Sequence, residues 1–312
     1  MSAVATSPPA SGPDVAAAQL PLAGGQEGAT VSLQPLLCAV MRGPKAFFER
    51  TAGPTAALKA LGVGASAEET VDVPIVAFLI EHPGAGHVLV DTGFRREVAE
   101  RRSPERSRNL GLLGRLMVRE MRMDPDQTIA AQLRSKGVDP DGLGLVAMTH
   151  LHFDHASALC EFPAATVLVS AEEWQAAHGP RPGLHGYVRA QFDPRPRYRT
   201  LPMGAAPADG PFAHTLDLFG DGSLILAFTP GHTLGHVSLI ARLRERHALI
   251  AGDAAYTLAT LRGGARPFKS EDARAFEQSV SSLAAWDAEH PDALVIPGHD
   301  MPAWEALQDR YE

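Results

Sequence analysis

Only two cysteines, Cys38 and Cys160, occur in the 312 residues. Two thiols cannot build the disulfide framework of a small secreted scaffold. Both lie among apolar neighbours and read as free thiols, which fits a reducing, cytoplasmic compartment. No run of 18 or more apolar residues is present, so no spanning helix is expected and the membrane is excluded as a partner of that kind. Aromatic residues are scarce at 6%, and positive charge is in deficit: 28 Lys and Arg against 36 Asp and Glu give a net charge of -8. A nucleic-acid partner would need a basic footprint that is missing here. A small-molecule substrate is not affected by that deficit. The opening "MSAVATSPPASGPDVAAAQLPLAGG" lacks both a basic segment and a continuous apolar one, so it does not resemble a signal peptide. Its Pro, Ala, Ser and Gly content predicts a disordered leader over residues 1–30.

The rest, residues 31–312, shows no linker and reads as a single domain. "VPIVAFLIEHPGAGHVLVDTG" contains two β-branched, apolar runs joined by a turn at Pro83–Gly86, a hairpin pattern. Leu112, Leu113, Leu116, Met117 and Met121 are spaced to form one face of a helix, either packed in the core or available to a homodimer contact. "DPDQTIAAQLRSKG" predicts a helix capped by Asp124 and stopped at Gly137. Residues 179–210 are rich in Pro, Arg and Gly with little periodicity, so a long site-shaping loop is expected there. "SLILAFTPGH", "VSLIARL" and "HALIAGD" predict three strands in close succession. "SEDARAFEQSVSSLAAWDAEH" predicts a helix, and "DALVIPGHD" a last strand. Strands and then helices occur in two similar series. That pattern fits an α/β fold of two face-to-face sheets with helices outside, rather than one doubly wound sheet.

Metal-ligand side chains recur just past the ends of buried strands: His150, His152, Asp154 and His155 in "THLHFDHA", His232 in "TPGHTLGH", Asp253 in "AGDAAYT" and His299 in "PGHD". Burying so many polar groups without a cation would cost several kcal/mol. Five imidazoles and two carboxylates suit divalent zinc, and also iron, cobalt or manganese. One ion would leave ligands idle, whereas two ions sharing a carboxylate use all seven. In H-x-H-x-D-H the first two His can turn to one ion, and Asp154 with His155 to another. His82, His87, His178, His185, His214, His247 and His290 stand outside any such cluster and read as structural or exposed. His236 reads at most as a support for a ligand.

These four motifs, in this order, resemble those of the metallo-β-lactamase superfamily, together with "LVDTG", in which Asp91 would be a supporting residue. The resemblance spans about residues 31–300 and implies a four-layer αββα sandwich with the metals at one edge of the sheets. "HLHFDHA", "TPGHTLGHVSL" and a Tyr three residues after Asp253 are most similar to the N-acyl-homoserine lactonases. That resemblance implies a dinuclear hydrolase opening the ester ring of lactones, as in quorum quenching, by attack of a hydroxide held between two metals. It implies that His150, His152 and His232 hold one metal, that Asp154, His155 and His299 hold the other, and that Asp253 bridges both. Tyr256 would hydrogen-bond the scissile carbonyl, and Asp154 would carry a proton to the leaving alkoxide. Phe153, inside the cluster, could line an acyl pocket or simply pack.

Other chemistries share the scaffold. A glyoxalase II-like thioesterase usually adds a basic C-terminal segment, whereas this chain ends "DMPAWEALQDRYE". Organophosphate triester hydrolysis uses the same hydroxide and stays open. A redox di-iron protein of this fold would carry Glu at the position of His152. A non-catalytic metal-binding protein would be expected to have lost ligands, and all seven are kept here.

Overall fold

The computed structural model describes residues 14–100, 108, 110, 120–192 and 197–312. In chain order its strands are β1 Val15–Ala17, β2 Ser32–Pro44, β3 Thr70–His82, β4 Gly86–Val90, β5 Glu120–Arg122, β6 Leu145–Ala147, β7 Thr166–Ser170, β8 Arg197–Leu201, β9 Thr215–Asp217, β10 Leu224–Phe228, β11 Val237–Arg242, β12 His247–Gly252 and β13 Leu294–Pro297. Eight form one sheet in the order β1-β8-β7-β6-β4-β3-β2-β5, and five form a second in the order β13-β12-β11-β10-β9.

Period-2 alternation decides which side chains lie between the sheets. On β3, Val76, Phe78 and Ile80 pack with Leu226, Leu239 and Ile250 of the second sheet. Their neighbours Ile75, Ala77 and Leu79 face the other way, against Ile129, Leu133 and Phe153. The outer face of the second sheet packs Ile240, Leu249 and Ala251 against Leu283 and Trp286 of the helix Ala273–Glu289. Helix, sheet, sheet and helix thus stack as the expected αββα sandwich. The hairpin at Pro83–Gly86 joins β3 to β4 in antiparallel pairing, with Glu81 opposite His87.

Several details differ from expectation. The leader was expected to lack structure through residue 30, but of that stretch residues 14–30 are described and packed. β1 pairs in parallel with β8, and Leu20 and Leu22 pack against the inter-sheet core. Composition averages over these few apolar anchors, and the exposed edge of β8 supplies backbone partners that composition cannot reveal. The helix expected from Asp124 is split. A short turn Pro125–Gln127 is capped reciprocally by Asp124 and Gln127, Thr128 is extended (ψ 140°), and the helix then runs Ile129–Ser135. Of the apolar helical face, Leu112, Leu113, Leu116 and Met117 lie outside the described residues. Met121 belongs to β5, opposite Met41. Within residues 179–210, β8 is a strand, because its edge pairing with β7 outweighs its polar composition.

Candidate metal centre

Parallel pairing brings the ligand-bearing turns together. Val90 lies opposite Ala147, so Asp91 and Thr149 leave adjacent strand ends. Gly252 lies opposite Pro297, so Asp253 and His299 do likewise. A register shift between Ile250 and Gly252 re-aims the chain just before Asp253. Gly252 has φ +53°, and a Cβ there would lie 2.8 Å from His236 Nε2. The two sheets meet where the Val237 amide donates to the Thr149 carbonyl at 3.0 Å.

All seven expected ligands converge. His150, His152 and His232 form one group, His150, His155 and Asp253 a second, and Asp154, His155 and His299 a third. Within each group the candidate ligand atoms lie within 4.8 Å of one another. The two oxygens of Asp253 face different partners. Oδ2 is 3.2 Å from His232 Nε2 and 3.8 Å from His150 Nε2. Oδ1 is 3.2 Å from His299 Nε2 and 3.4 Å from His155 Nε2. Asp154 Oδ2 lies 3.6 Å from His299 Nε2.

Hydrogen bonds behind the rings set their tautomers. His299 Nδ1–H donates to the Pro74 carbonyl at 3.1 Å. His155 Nδ1–H donates to Asp91 Oδ2 at 2.8 Å. His150 Nδ1 is 3.0 Å from Thr149 Oγ1, which itself donates to Asp91 at 2.7 Å. His232 Nδ1 is 3.0 Å from Tyr256 Oη. With each ring neutral and its proton on Nδ1, Nε2 is left as a lone pair aimed at the centre. Three imidazole nitrogens then crowd one point: His232 Nε2 is 2.9 Å from His152 Nδ1 and 3.2 Å from His150 Nε2. His155 Nε2 and Asp253 Oδ1 are buried with no hydrogen-bond partner. Lone pairs pressed together and orphaned buried acceptors are what a cation cage requires, so the residues fit divalent metals.

Burial holds His150 and His232 well below the usual imidazole range, and holds His152 at about 4, so all three are neutral as ligands must be. Burial would lower His155 too, but Asp253 and Asp91 outweigh it and raise it. Burial likewise opposes ionisation of Asp253, yet His299, His155 and His232 together hold its carboxyl well down.

The supporting residues are in place. Asp91, at φ 57°, accepts from the Thr149 amide, the Thr149 hydroxyl and His155. His236 accepts the Asp253 amide on Nε2 at 3.0 Å. Tyr256 lines the pocket and is buried, which pushes its phenol up and keeps the proton on. The resemblance implied a hydrogen bond from Tyr256 to the scissile carbonyl. Here its hydroxyl also lies 3.0 Å from His232 Nδ1; when that nitrogen carries the proton the hydroxyl accepts, and its own hydrogen is left for the pocket. Phe153 both lines the pocket and packs in the core. From the 179–210 segment, His185 and Gly186 line the pocket, with His185 paired to Glu271 at 2.6 Å.

Glu173 was not expected. It is fully buried and accepts from the Leu151 amide (2.8 Å), the Thr233 hydroxyl (2.6 Å) and the Gly235 amide (3.3 Å). It thereby ties the loop of His150 and His152 to the loop of His232. Burial pushes its carboxyl up to about 7. A Cβ on Gly235 would lie 1.9 Å from the Glu173 amide, so only glycine permits this approach. The sequence "SAEE" reads as a capping box. Only its first half forms, with Ser170 accepting the Glu173 amide.

A family model described as the Metallo-beta-lactamase superfamily matches residues 70–299, and the chain belongs to that superfamily. Among characterised relatives, the chain is 36% identical to the N-acyl homoserine lactonase AttM of Rhizobium radiobacter over 236 residues, 75% of this chain and 84% of the relative. It is 27% identical to an N-acyl homoserine lactonase of Bacillus thuringiensis, covering 74% and 83%. A solved N-acyl homoserine lactone hydrolase, with N-hexanoyl-L-homoserine bound at its catalytic metal center, superposes with TM-score 0.69 at 21% identity. That superposition covers 89% of this chain and 97% of the other.

Proposed function

We propose that this protein is a dinuclear metal-dependent lactonase acting on N-acyl homoserine lactones. His150, His152 and His232 would hold one ion, Asp154, His155 and His299 would hold the other, and Asp253 would be shared between them. Zinc suits this mixed imidazole and carboxylate set. The observation that carries the reading is Asp253, whose two oxygens each face a different set of imidazoles. The lactonase relatives at about one-third identity supply the substrate class. When bound, such ions lower the pKa of water and polarise a carbonyl. Water adds to the ring carbonyl, the ring C–O bond breaks, and a carboxylate and a hydroxyl result with net release of one proton. Tyr256 Oη–H would donate to the carbonyl oxygen as charge develops on it. Asp154 would pass a proton to the departing alkoxide. Two free cysteines fit a reducing, cytoplasmic setting, and among the described residues no helix is long and apolar enough to cross a membrane.

The test is proton release from homoserine lactones by the zinc-loaded protein, beside a thioester and a phosphotriester. Lactone opening faster than either, abolished by chelator, is expected. Preferential turnover of the thioester or the phosphotriester would keep the metal centre and discard the substrate.

A further inference from the structure

His152 is held differently from the other four imidazoles. It turns Nδ1 toward the centre, 2.9 Å from His232 Nε2. Its outer nitrogen, Nε2, is buried without a hydrogen bond, and the acceptor that bears on it is the backbone carbonyl of His185. The stretch around that carbonyl forms the wall behind the ring. The Phe153 amide donates to the Gly186 carbonyl at 3.2 Å, and His152 pairs with Tyr187 in a single antiparallel bridge. Gly186 is left-handed at φ +88°, and a Cβ there would lie 2.8 Å from His152 Nε2. The place of the His152 ring therefore follows the place of the turn Pro182–His185 and of the two residues after it.

Glu271 fixes that turn. Its Oε2 lies 2.6 Å from His185 Nδ1, and its Oε1 lies 2.9 Å from Lys269 Nζ. Lys269 also donates to the Leu184 carbonyl at 3.2 Å, so the turn is gripped at two successive residues. Burial opposes ionisation of Glu271, but Lys269 and His185 outweigh it and hold its carboxyl down. An ionised carboxylate only accepts, so His185 carries its proton on Nδ1 and donates. The backbone of Glu271 faces the other way. Its amide donates to the Gly231 carbonyl at 2.8 Å and to the His232 carbonyl at 3.3 Å, and the Asp272 amide donates to Gly231 at 3.1 Å. One residue thus holds the turn behind His152 with its side chain and the turn of His232 with its backbone. Those two histidines share one candidate ligand group with His150. His155 and His299, in the other group, are anchored elsewhere, on Asp91 and on the Pro74 carbonyl.

The geometry points to Glu271, with His185 and Lys269, as a clasp that sets the spacing of His152 from His232 and so tunes the affinity of one of the two ions. That ion is the one in the three-imidazole group. This rests on the two-ion reading of the site. Glu271 acts through His185 and is a positioning residue. The clasp lies at the pocket rim, with the His185 and Lys269 side chains 44% and 46% exposed, so it adds little to the stability of the whole fold. Its effect falls on the ligand it places, and loss of such outer support typically costs about 10–100-fold in metal affinity.

The experiment follows stepwise zinc uptake by the full chain against a chromophoric chelator. Glu271→Ala is expected to weaken one of the two steps about 10–100-fold, to leave the other unchanged, and to leave the thermal midpoint within a few degrees of wild type. Two backgrounds identify the step. His299→Ala cripples the second group, and there Glu271→Ala is expected to weaken the remaining ion. His152→Ala cripples the first, and there Glu271→Ala is expected to change nothing. His185→Ala should act like Glu271→Ala, whereas His185→Asn keeps a donor for the carboxylate and should restore the affinity. Weakening of both steps together, of neither, or of the step that survives in His152→Ala would overturn the inference while the two-ion centre stands. A wild type that takes up no zinc would remove the two-ion reading and this one with it.

Discussion

Asp91 Oδ2 lies 2.8 Å from His155 Nδ1, and the same carboxylate receives the amide and hydroxyl of Thr149. One buried anion thus orients His155 directly and His150 through Thr149. It does so from a left-handed backbone, φ 57°, a conformation that costs a non-glycine residue of order 1–3 kcal/mol and persists where function needs it.

Asp91→Asn can still accept from Thr149, but its amide group offers His155 a donor in place of an acceptor. Metal affinity is expected to fall about 10–100-fold, the usual effect of losing such a ligand's support. Competition against a chromophoric chelator measures this. Affinity equal to wild type would show that His155 needs no anchor.

Asp253→Asn replaces one of the two facing oxygens by an NH₂ donor. Metal content, read by elemental analysis, and lactone turnover are expected to fall together. A variant that stays fully metallated and active would falsify the bridging assignment.

Tyr256→Phe removes one hydroxyl next to His232. Turnover is expected to drop about 10²-fold, the scale of one lost oxyanion donor, with metal content unchanged. Unchanged turnover would leave Tyr256 only its contact with His232. Loss of metal instead would make it a support for the ligand rather than a donor to substrate.

Glu173→Ala strands the Leu151 amide, the Thr233 hydroxyl and the Gly235 amide in the interior. Each stranded group costs ~1–3 kcal/mol, so a loss of several kcal/mol in denaturant unfolding is expected. Glu173→Gln retains one acceptor oxygen and is expected to cost less. A loss under 1 kcal/mol for Ala would mean that water replaces the carboxylate.

The same residue makes a pH prediction. Burial raises its folded pKa to about 7 from an ordinary 4.5. Between those values the folded state holds more protons than the unfolded state, so this contribution is full below pH 4.5 and is lost as pH rises toward 7. Unfolding of wild type and Glu173→Gln across pH 5–8 isolates it, since the histidines titrate in both. The wild type is expected to lose stability relative to Gln as pH rises, and a difference flat with pH would contradict the raised value.

Much was legible because the chemistry is local in the chain. His150, His152, Asp154 and His155 fall within six residues, so their pattern survives without knowledge of the fold. His232, Asp253 and His299 each end an apolar run, which marks them as strand-end residues. Glu173 left no comparable trace: a glutamate three residues after a serine at a helix start has an ordinary local explanation. The order in residues 14–30 was hidden for a related reason, since Leu20 and Leu22 acquire meaning only beside the core they cover.

The sequence by itself determined the candidate ligand set, the layer order implied by alternating strands and helices, and the class of chemistry. Periodicity and side-chain type are properties of the chain and need no partner to be read. Only the tertiary structure decided that the two oxygens of Asp253 face separate sets of imidazoles, that Tyr256 backs His232, that Glu173 joins two ligand loops, and that Glu271 ties the turn behind His152 to the turn of His232. Each of those depends on distances between residues tens to hundreds of positions apart. Strand register and sheet packing set such distances, and no single stretch of sequence encodes them.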